Sequence, residues 1–366
     1  MDGIFGWLGD HGAHQELIEH MAHAGRQPTD TLLHAHSSQL LGIAARSRFG
    51  KADIHVENGL AAALMGRPGF DDDELALIAR ERGAVVAVAH GWLRHAERLP
   101  RLMRGNFAFV VLEPLKKRAC FALDRSGIER LCYAHRGNHL VFGSSAQQVA
   151  SHPAVGRTVD PQAIYDYLYF HTIPAPRSLY RGVQKLLPGQ IALLRNGHLE
   201  TRFYWHADYA PVNADFGTHR AAFRTLLDQA ARDADGPSTA AFLSGGTDSS
   251  TVVGALTAAR GGPVDTFSIG FDADGFDEME YARCAAERYA SRANEYYLKP
   301  ADIVTAVPII AREYDEPFGN NSAVPTYFCA RAAREAGFER MLAGDGGDEI
   351  FGGNARYAKQ GLFEYY

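Results

Sequence analysis

The sequence predicts an α+β domain followed by an α/β domain with a parallel sheet. Short apolar runs bounded by Gly, Asn and Asp turns fill the first half, a pattern typical of antiparallel strands. The second half alternates such runs with helical patterns, which is typical of a parallel sheet covered on both faces. The length of 366 residues also exceeds that of one ordinary domain. We therefore expect two domains of different fold class.

The strands and helices of the first half follow from its hydrophobic spacing. Residues 16–24 and 72–83 have helical spacing, and Leu75, Leu77 and Ile78 approximate one apolar face. Strands are predicted at 39–47, 105–113, 117–124, 131–135 and 139–144. Such a meander predicts stacked antiparallel sheets with a few covering helices.

A polar, proline-containing stretch separates the two halves. Residues 206–217 show no periodicity, so the sequence predicts a linker there between domains at 1–205 and 218–366. A helix is predicted at 218–234, followed by alternating strands and helices. In parallel sheets of this kind, ligands bind at the carboxyl ends of the strands.

The charge balance and the cysteine pattern exclude several functional classes. The 37 Lys and Arg residues against 43 Asp and Glu give a net charge of -6, which argues against nucleic acid and anionic membranes as partners. No signal-peptide pattern and no apolar run of the ~18 residues of a membrane span occur. Cys120, Cys132, Cys284 and Cys329 are scattered, so we expect buried, inert thiols in a reducing cytoplasm.

A glycine turn after the first predicted parallel strand is the main chemical signal. Residues 244–250, Ser-Gly-Gly-Thr-Asp-Ser-Ser, follow an apolar strand end and open a helix. Adjacent glycines, hydroxyl groups and the N–H groups of a helix start predict a pyrophosphate cradle. Asp248 would repel phosphate unless a cation lies between them, so it is predicted to bind Mg²⁺. The alternative is a plain strand-to-helix turn in which Asp248 or Ser249 caps the helix.

Competing motifs are absent or mismatched. Gly50-Lys51 is followed by Ala52, so it is not a Walker motif, and no Gly-x-Gly-x-x-Gly opens a helix. The acidic cluster Asp272, Asp274, Asp277 and Glu278 resembles a calcium loop. The register that makes Gly275 the sixth position has Gly270 first and Tyr281 twelfth, so we expect a loop and helix cap instead.

A second glycine and acid cluster occupies residues 344–349, Gly-Asp-Gly-Gly-Asp-Glu, after the predicted strand Met341-Leu342-Ala343. In a parallel sheet it would emerge at the same carboxyl edge as the first turn. Asp348 and Asp248 are therefore predicted to lie within reach of one metal ion. The alternative is a polar turn before Ile350-Phe351.

Several motifs, in the same order, resemble the asparagine synthetase family. In the second half these are SGGTDSS, DEPFGNNSAVPTY (315–327) and GDGGDEIFGG, and in the first half GIFGW (3–7), RGNFAFVVLE (104–113), DRSGIERLCYA (124–134), FGSS (142–145) and the stretch 152–193. The resemblance covers nearly the whole chain. It implies an N-terminal nucleophile, glutaminase-like αββα sandwich, followed by an α/β ATP-pyrophosphatase domain.

The resemblance also implies a set of site residues. Leu243, Ser244, Gly245, Gly246, Asp248, Ser249 and Ser250 would bind ATP phosphates, Ile269 would line the adenosine pocket, and Ala343 and Gly344 would contact the nucleotide. Asp248 and Asp348 would hold Mg²⁺, and Asp345 would lie near the acceptor amine. The implied reaction adenylates a small-molecule or peptide carboxylate with loss of pyrophosphate, after which an amine donor forms an amide and AMP leaves. A homodimer is left open.

Two departures from the family pattern shape these expectations. Asp2 stands where a glutaminase of the family has its nucleophilic Cys. Residues 65–70 replace the family's substrate-holding segment, and its Gly-Asp pair has no match near residues 90–92. We therefore expect an inactive glutaminase domain. The chain also stops soon after the second acidic cluster, and no residue matches the family's downstream Lys, which suggests a truncated synthetase domain.

Three readings remain open at this stage. The first is an amide ligase of asparagine synthetase type that does not hydrolyse glutamine. The second is an intramolecular amide former like the β-lactam synthetases or lasso-peptide cyclases, and the third is a nucleotide-binding homologue without turnover. Thiolases of tRNA share the fold but usually need catalytic cysteines and a basic surface.

Overall fold

A computed structural model describes residues 3–10, 14–25, 32–47, 50–210, 212–272, 277–353, 357 and 359. The chain divides into two compact units. The first comprises Met1–Tyr209 and Arg312–Gly319, and the second comprises Ala210–Ala311 and Asn320–Tyr366. The first unit thus includes a short segment that lies far along the chain.

Antiparallel strands dominate the first unit. Its strands are β1 (Gly3–Leu8), β2 (Leu32–Ser38), β3 (Leu41–Ser47), β4 (Ala52–Glu57), β5 (Leu60–Gly66), β6 (Gly69–Phe70), β7 (Met103–Arg104), β8 (Phe107–Glu113), β9 (Arg118–Leu123), β10 (Cys132–Arg136), β11 (His139–Gly143), β12 (Gln184–Lys185), β13 (Gln190–Arg195) and β14 (His198–Phe203). Its helices are α1 (His14–Ala24), α2 (Asp73–Arg82), α3 (Ala84–His95), α4 (Ala146–Ser151) and α5 (Pro161–Phe170). A 3-10 helix, Ala96–Leu102, follows α3 directly, and a shorter one spans Pro114–Lys116.

The described strands form two large antiparallel sheets that pack face to face. One has the order β12-β10-β11-β1-β3-β2 and the other β14-β13-β9-β8-β5-β4. Strand β8 explains the layering, because Ala108, Val110 and Leu112 belong to the core between the sheets. Its alternate residues Phe107 and Phe109 pack in the core that includes residues of α2 and α3.

The outer face of the other sheet is covered in the same way. Ile18 and Met21 of α1 and Val149 of α4 pack with Phe5 and Trp7 of β1. The unit is therefore an αββα sandwich, as the sequence predicts. The helix α3 was not predicted, although its buried Val86, Ala87 and Val88 belong to the outer core.

A parallel sheet forms the second unit. Its strands are β15 (Thr239–Phe242), β16 (Asp265–Phe271), β17 (Arg292–Leu298) and β18 (Arg340–Leu342). Its helices are α6 (Phe216–Ala234), α7 (Thr247–Arg260), α8 (Met279–Arg288), α9 (Pro300–Glu313, whose last residues belong to the first unit), α10 (Ala323–Glu335) and α11 (Gly347–Phe351). Apolar residues of α7 and α8 pack on one face of the sheet, and those of α9 and α10 pack on the other. This is the α/β arrangement that the alternating pattern predicts.

Candidate functional site

The strand order of the second unit creates a crevice beside β15. The sheet runs β17-β16-β15-β18 with parallel pairing, so the chain proceeds to one side of β15 first and then returns to its other side. Ligands of open α/β sheets bind where the strand order reverses, outside the carboxyl ends of the strands. The two glycine turns follow β15 and β18, and they line a cleft of about 1030 Å³.

The first turn needs glycine at Gly245 and not at Gly246. Gly245 has a φ of 85°, and a Cβ there would lie 2.3 Å from the backbone carbonyl carbon of Tyr281. Gly246 has a φ of -67°, which any residue adopts, and a Cβ there would meet only the Ser244 hydroxyl oxygen at 3.3 Å. Of the two adjacent glycines in the predicted cradle, only Gly245 therefore uses the backbone freedom of glycine. The glycine requirement at 245 comes from the close approach of α8.

Hydroxyl groups brace the first turn from within. The Ser244 and Ser249 hydroxyl oxygens are 3.0 Å apart, and the Ser249 hydroxyl also accepts from the Ser244 N–H at 3.3 Å. The Gly246 N–H donates to the Ser244 hydroxyl oxygen at 3.3 Å. These bonds hold the turn in one shape before any ligand arrives.

The start of α7 presents an open positive end to the cleft. Its N-cap residue Gly246 provides no side-chain cap, and Thr247 and Asp248 line the cleft. The first N–H groups of a helix lack partners within the helix, and its N-terminus carries a partial positive charge. This combination suits a phosphate group.

The second turn packs directly against the first. A Cβ on Gly344 would lie 2.7 Å from the Ser249 backbone nitrogen. A Cβ on Gly347 would lie 2.3 Å from the Asp248 Oδ2 atom. Only glycine allows the turn after β18 to approach the Asp248 carboxylate this closely.

The carboxylates of Asp248 and Asp348 line the cleft, and so do Glu278, Asp345 and Glu349. Magnesium ions in proteins are commonly held by one or two carboxylates together with substrate phosphates and water. The pair therefore fits a magnesium ion that arrives with a phosphate ligand. Within the described ranges, no group of three or more His, Cys, Asp or Glu side chains is arranged to hold a metal ion by itself.

Most of the residues predicted from the sequence lie together in this cleft. Those that line it are Leu243, Ser244, Gly246, Asp248, Ser249, Ile269, Ala343, Gly344, Asp345 and Asp348. Gly245 and Ser250 are outside the lining. A Cβ on Gly245 would face α8, and the Ser250 hydroxyl is buried with no hydrogen-bond partner among the described residues.

Other lining residues were not predicted as site residues. They include Phe267, Ser268 and Phe271 of β16, Glu278, Ala282, and Ser322, Pro325, Thr326 and Cys329 around the start of α10, as well as Gly346, Glu349, Phe351 and Gly353. Several belong to the quoted motifs DEPFGNNSAVPTY and GDGGDEIFGG. The motifs supported the family resemblance, but only the fold shows that their residues line the cleft.

The acidic segment before α8 acts partly as a helix cap. Asp277 Oδ1 accepts from the Phe271 and Met279 backbone N–H groups, each at 3.3 Å. Asp274 and Gly275 lie outside the described residues. Glu278 adds a carboxylate to the cleft lining.

A smaller pocket, of about 120 Å³, lies at the start of β1 in the first unit. Gly3, Arg46, Met65, Glu129 and Asp315 are among its lining residues, and burial lowers the pKa of the Arg46 guanidinium. None of the described residues that line it is a cysteine. Asp2, the position at which the resemblance implies a nucleophile, lies outside the described residues.

The segment 65–70 and residues 90–92 have structural roles in the first unit. Gly69 and Phe70 pair with Arg104 and Met103, and a Cβ on Gly66 would lie 2.3 Å from the Asn106 carbonyl oxygen. Residues 90–92 lie within α3, where a Cβ on Gly91 would meet the Leu99 side chain at 2.5 Å.

The cysteines differ in exposure. Cys120, Cys132 and Cys329 are buried, and burial raises the pKa of each thiol, to about 12 for Cys329. Cys284 is exposed on α8, so the prediction that all four are buried is wrong for this one. Its helix packs through Met279, Ala282 and Ala286, which leaves position 284 on the outer face.

The helices were compared with the length and hydropathy of a membrane span. In the part of the chain that the structure describes, none is long and apolar enough to cross a bilayer.

Two protein-family models match the chain, one in each half. The model described as asparagine synthase matches residues 222–364. The model described as a glutamine amidotransferase domain matches residues 84–205. The cleft lies within the first of these matches.

Curated relatives carry related names. A protein of Methanocaldococcus jannaschii with the provisional name asparagine synthetase (glutamine-hydrolyzing) 2 is 32% identical over 68% of this chain and 49% of its own length. A provisionally named asparagine synthetase (glutamine-hydrolyzing) of Mycobacterium tuberculosis is 31% identical over 75% of this chain and 43% of its own length. Asparagine synthetase (glutamine-hydrolyzing) 1 of Bacillus subtilis is 28% identical over 69% of this chain and 40% of its own length. The aligned part of this chain thus spans less than half the length of each of these relatives.

Proposed function

The chain belongs to the asparagine synthetase family, and from this premise we propose that it is an ATP-dependent ligase that forms amides. In this proposal, ATP adenylates a substrate carboxylate and releases pyrophosphate. An amine donor then attacks the acyl-adenylate, and the products are an amide and AMP. The carboxylate belongs to a small molecule or a peptide.

One observation carries the proposal. The turns after β15 and β18 meet at the reversal point of the sheet, where the uncapped start of α7 and the two carboxylates of Asp248 and Asp348 line one cleft. A positive helix end and two carboxylates in the same cleft suit a nucleoside triphosphate with its magnesium ion.

In this proposal, different residues of the cleft have different roles in the adenylation step. The braced turn of Ser244 and Ser249 holds the N–H groups of the α7 start in position for the phosphates. Because this arrangement exists before the reaction, charge that builds on the departing pyrophosphate is stabilised without reorganisation. A magnesium ion held by Asp248 and Asp348 would neutralise part of that charge.

The nucleoside and the amine occupy other parts of the cleft in this proposal. Ile269 on β16 and Ala343, directly after β18, provide apolar and backbone surface for the adenosine. Asp345 lines the same cleft, and we assign its carboxylate to the acceptor amine, which must lose a proton as the amide forms.

We assign a supporting role to the first unit, without glutamine hydrolysis. Amide hydrolysis of the glutaminase type needs a thiolate nucleophile. The pocket at the start of β1 is lined by no cysteine among the described residues, and burial raises the pKa of the nearby strand residue Cys132 well above its usual value. The amine then comes from ammonia or from the substrate itself.

Two alternatives use the same cleft. An intramolecular amide former would use an amine of its own substrate, and a nucleotide-binding homologue would bind ATP without turnover. Exchange of labelled pyrophosphate into ATP separates them, because adenylation is reversible and requires a carboxylate acceptor.

The experiment has two stages on the full chain. Calorimetry first measures Mg·ATP binding to the parent and to Asp248→Asn, with Asp228→Asn on the exposed side of α6 as the control. Pyrophosphate exchange is then measured with a panel of amino acids, β-amino acids and peptides. Binding that Asp248→Asn weakens, together with carboxylate-dependent exchange, supports the ligase. Binding without exchange for any acid favours the non-catalytic homologue, and absence of Mg·ATP binding contradicts the site assignment.

A further inference from the structure

A cavity of about 450 Å³ in the first unit has three arginine side chains in its lining. It lies beside the 3-10 helix Ala96–Leu102 and the end of β14, and it shares no residue with the cleft of the second unit. The three arginines of its lining are Arg98, Arg101 and Arg202. Three guanidinium groups therefore border a space of the size of a small ligand.

The 3-10 helix aligns two of these arginines. Arg98 and Arg101 are three residues apart, and a 3-10 helix has three residues per turn, so their side chains leave the same face. In the described part of the chain, neither guanidinium has a hydrogen-bond or ion-pair partner. Like charges at this spacing repel each other, and a bound anion would relieve that repulsion.

The acidic residue of the described lining, Glu97, does not neutralise this pair. Its carboxylate is already shared between Arg195 and Arg202. The side-chain carboxylate of Asp72 lies 3.3 Å from His95 Nε2 and caps the start of α2 through the Leu75 N–H. Nearby carboxylates are thus used by other partners, and the cavity keeps an excess of positive charge.

The backbone at the cavity is strained. Ala96 joins α3 to the 3-10 helix with φ 47° and ψ -125°, a conformation that residues with a Cβ rarely adopt. Strain of this kind concentrates at ligand clamps and other functional positions. Here it turns the chain so that residues 98 and 101 border the cavity.

An aromatic pair completes the wall. Tyr204 is fixed by a hydrogen bond of 2.8 Å from its hydroxyl to the Leu123 carbonyl oxygen, and its ring is buried. Phe203 is 52% exposed at the same cavity, so its ring is open to a planar group.

From these features we infer that the cavity binds a small phosphate-bearing molecule. The planar forks of Arg98 and Arg101 match phosphate oxygens in bidentate geometry better than ammonium groups do. Arg202, which is already paired with Glu97, adds positive charge to the lining. The phosphate could belong to an inorganic phosphate species or to a nucleotide whose base stacks on Phe203. The site would make the first unit responsive to phosphorylated metabolites, independently of the chemistry proposed for the second unit.

Calorimetry on the full chain tests the inference with three probes: inorganic phosphate, pyrophosphate and AMP. The buffer is freed of divalent cations to suppress binding in the cleft of the second unit, and it contains about 0.15 M salt to screen nonspecific attraction. The test variant is Arg98→Gln with Arg101→Gln. The control is Arg67→Gln with Arg80→Gln, which removes the same charge from exposed positions outside the cavity.

We expect saturable binding of pyrophosphate that weakens at least about tenfold in the Arg98/Arg101 variant and stays within about twofold in the control. Phe203→Ala distinguishes the two sources. Weaker AMP binding with unchanged pyrophosphate binding indicates a nucleotide, and unchanged binding of both indicates inorganic phosphate species. No saturable binding of any probe, or equal losses in the two double variants, would overturn the inference. Mg·ATP binding that depends on Asp248 is measured separately, so the ligase proposal stands or fails by its own result.

Discussion

The carboxylate of Asp315 lies at the start of α4, where its Oδ1 accepts a hydrogen bond of 2.5 Å from the Ser145 hydroxyl. The same carboxylate accepts from the backbone N–H groups of Ala146 at 2.5 Å and Gln147 at 3.2 Å. Its neighbour Glu316 accepts from the Leu179 N–H at 2.8 Å and the Lys185 ammonium at 2.6 Å. The segment Arg312–Gly319 is thereby held within the first unit. The quoted DEPF motif is explained by these bonds.

We predict that Asp315→Asn destabilises the first unit by about 1–2 kcal/mol, because the amide keeps one acceptor and loses the charge that favours a helix N-terminus. Tryptophan fluorescence during urea unfolding measures this, since Trp7, Trp92 and Trp205 all lie in the first unit. Glu313→Gln is the control, because Glu313 is an exposed acid of the same segment. Equal unfolding midpoints for the parent and Asp315→Asn would contradict the role of these bonds.

The two adjacent glycines of the first turn should respond differently to alanine. We expect Gly245→Ala to destabilise the α7 region by about 2 kcal/mol, because its φ of 85° is strained for alanine and the Cβ meets the backbone of α8. Gly246→Ala should leave the fold intact and weaken Mg·ATP binding, because position 246 lines the cleft. Hydrogen exchange of residues 239–260 reports the first effect and calorimetry the second. If Gly246→Ala were less stable than Gly245→Ala, the turn would have a conformation other than the one described.

This turn also shows what could be read from the sequence and what could not. The pattern of an apolar strand, a glycine turn and a helix predicted the location of the site. The choice between Gly245 and Gly246 depended on α8, which packs on the turn from more than thirty positions away along the chain. Long-range packing of this kind leaves no local pattern.

The two aspartates of the cleft should act together. Asp248→Asn and Asp348→Asn should each weaken magnesium-dependent ATP binding by about tenfold. The double variant should lose less than the sum of the two free energies, because partners at one ion are not independent. A double-mutant cycle by calorimetry checks this. Strict additivity would place the two carboxylates at separate sites.

The cysteines give a prediction about pH. At pH 8 in the folded chain, a thiol reagent should modify Cys284 rapidly, and Cys120, Cys132 and Cys329 only after denaturation, because burial raises the pKa of these three thiols. Unfolded thiols ionise near their ordinary pKa of 9.0, whereas the folded ones hold their protons at higher pH. The protonated buried thiols therefore add to the free energy of unfolding. This contribution is complete below about pH 9 and is lost as the pH rises towards 12. Rapid modification of all four thiols at pH 8 would contradict the burial.

The exposure of Cys284 and the presence of the helix α3 could not be predicted from the local sequence pattern either. Cys284 lies between Arg283 and two alanines, and only the placement of α8 against the sheet decides which face is buried. In α3, all five residues from Val85 to Ala89 are apolar, so no polar face reveals a helical period. The outer core of the sandwich surrounds this helix, and that environment is not visible locally.

Ala96 provides the last prediction, because its backbone conformation suits glycine better than alanine. With φ 47° and ψ -125°, its Cβ crowds the neighbouring peptide groups, and the conformation persists because α3 and the 3-10 helix are packed on either side through Trp92 and Leu99. Ala96→Gly should therefore raise the free energy of unfolding of the first unit by about 1 kcal/mol, since relief of strain outweighs the greater freedom of glycine in the unfolded chain. Ala79→Gly in the interior of α2 is the matched control, and it should lower the free energy of unfolding by about 0.5–1 kcal/mol. Urea unfolding followed by tryptophan fluorescence compares the two variants with the parent. If both substitutions destabilise the unit to the same extent, Ala96 carries no strain, and the backbone argument for the arginine-lined cavity loses its support.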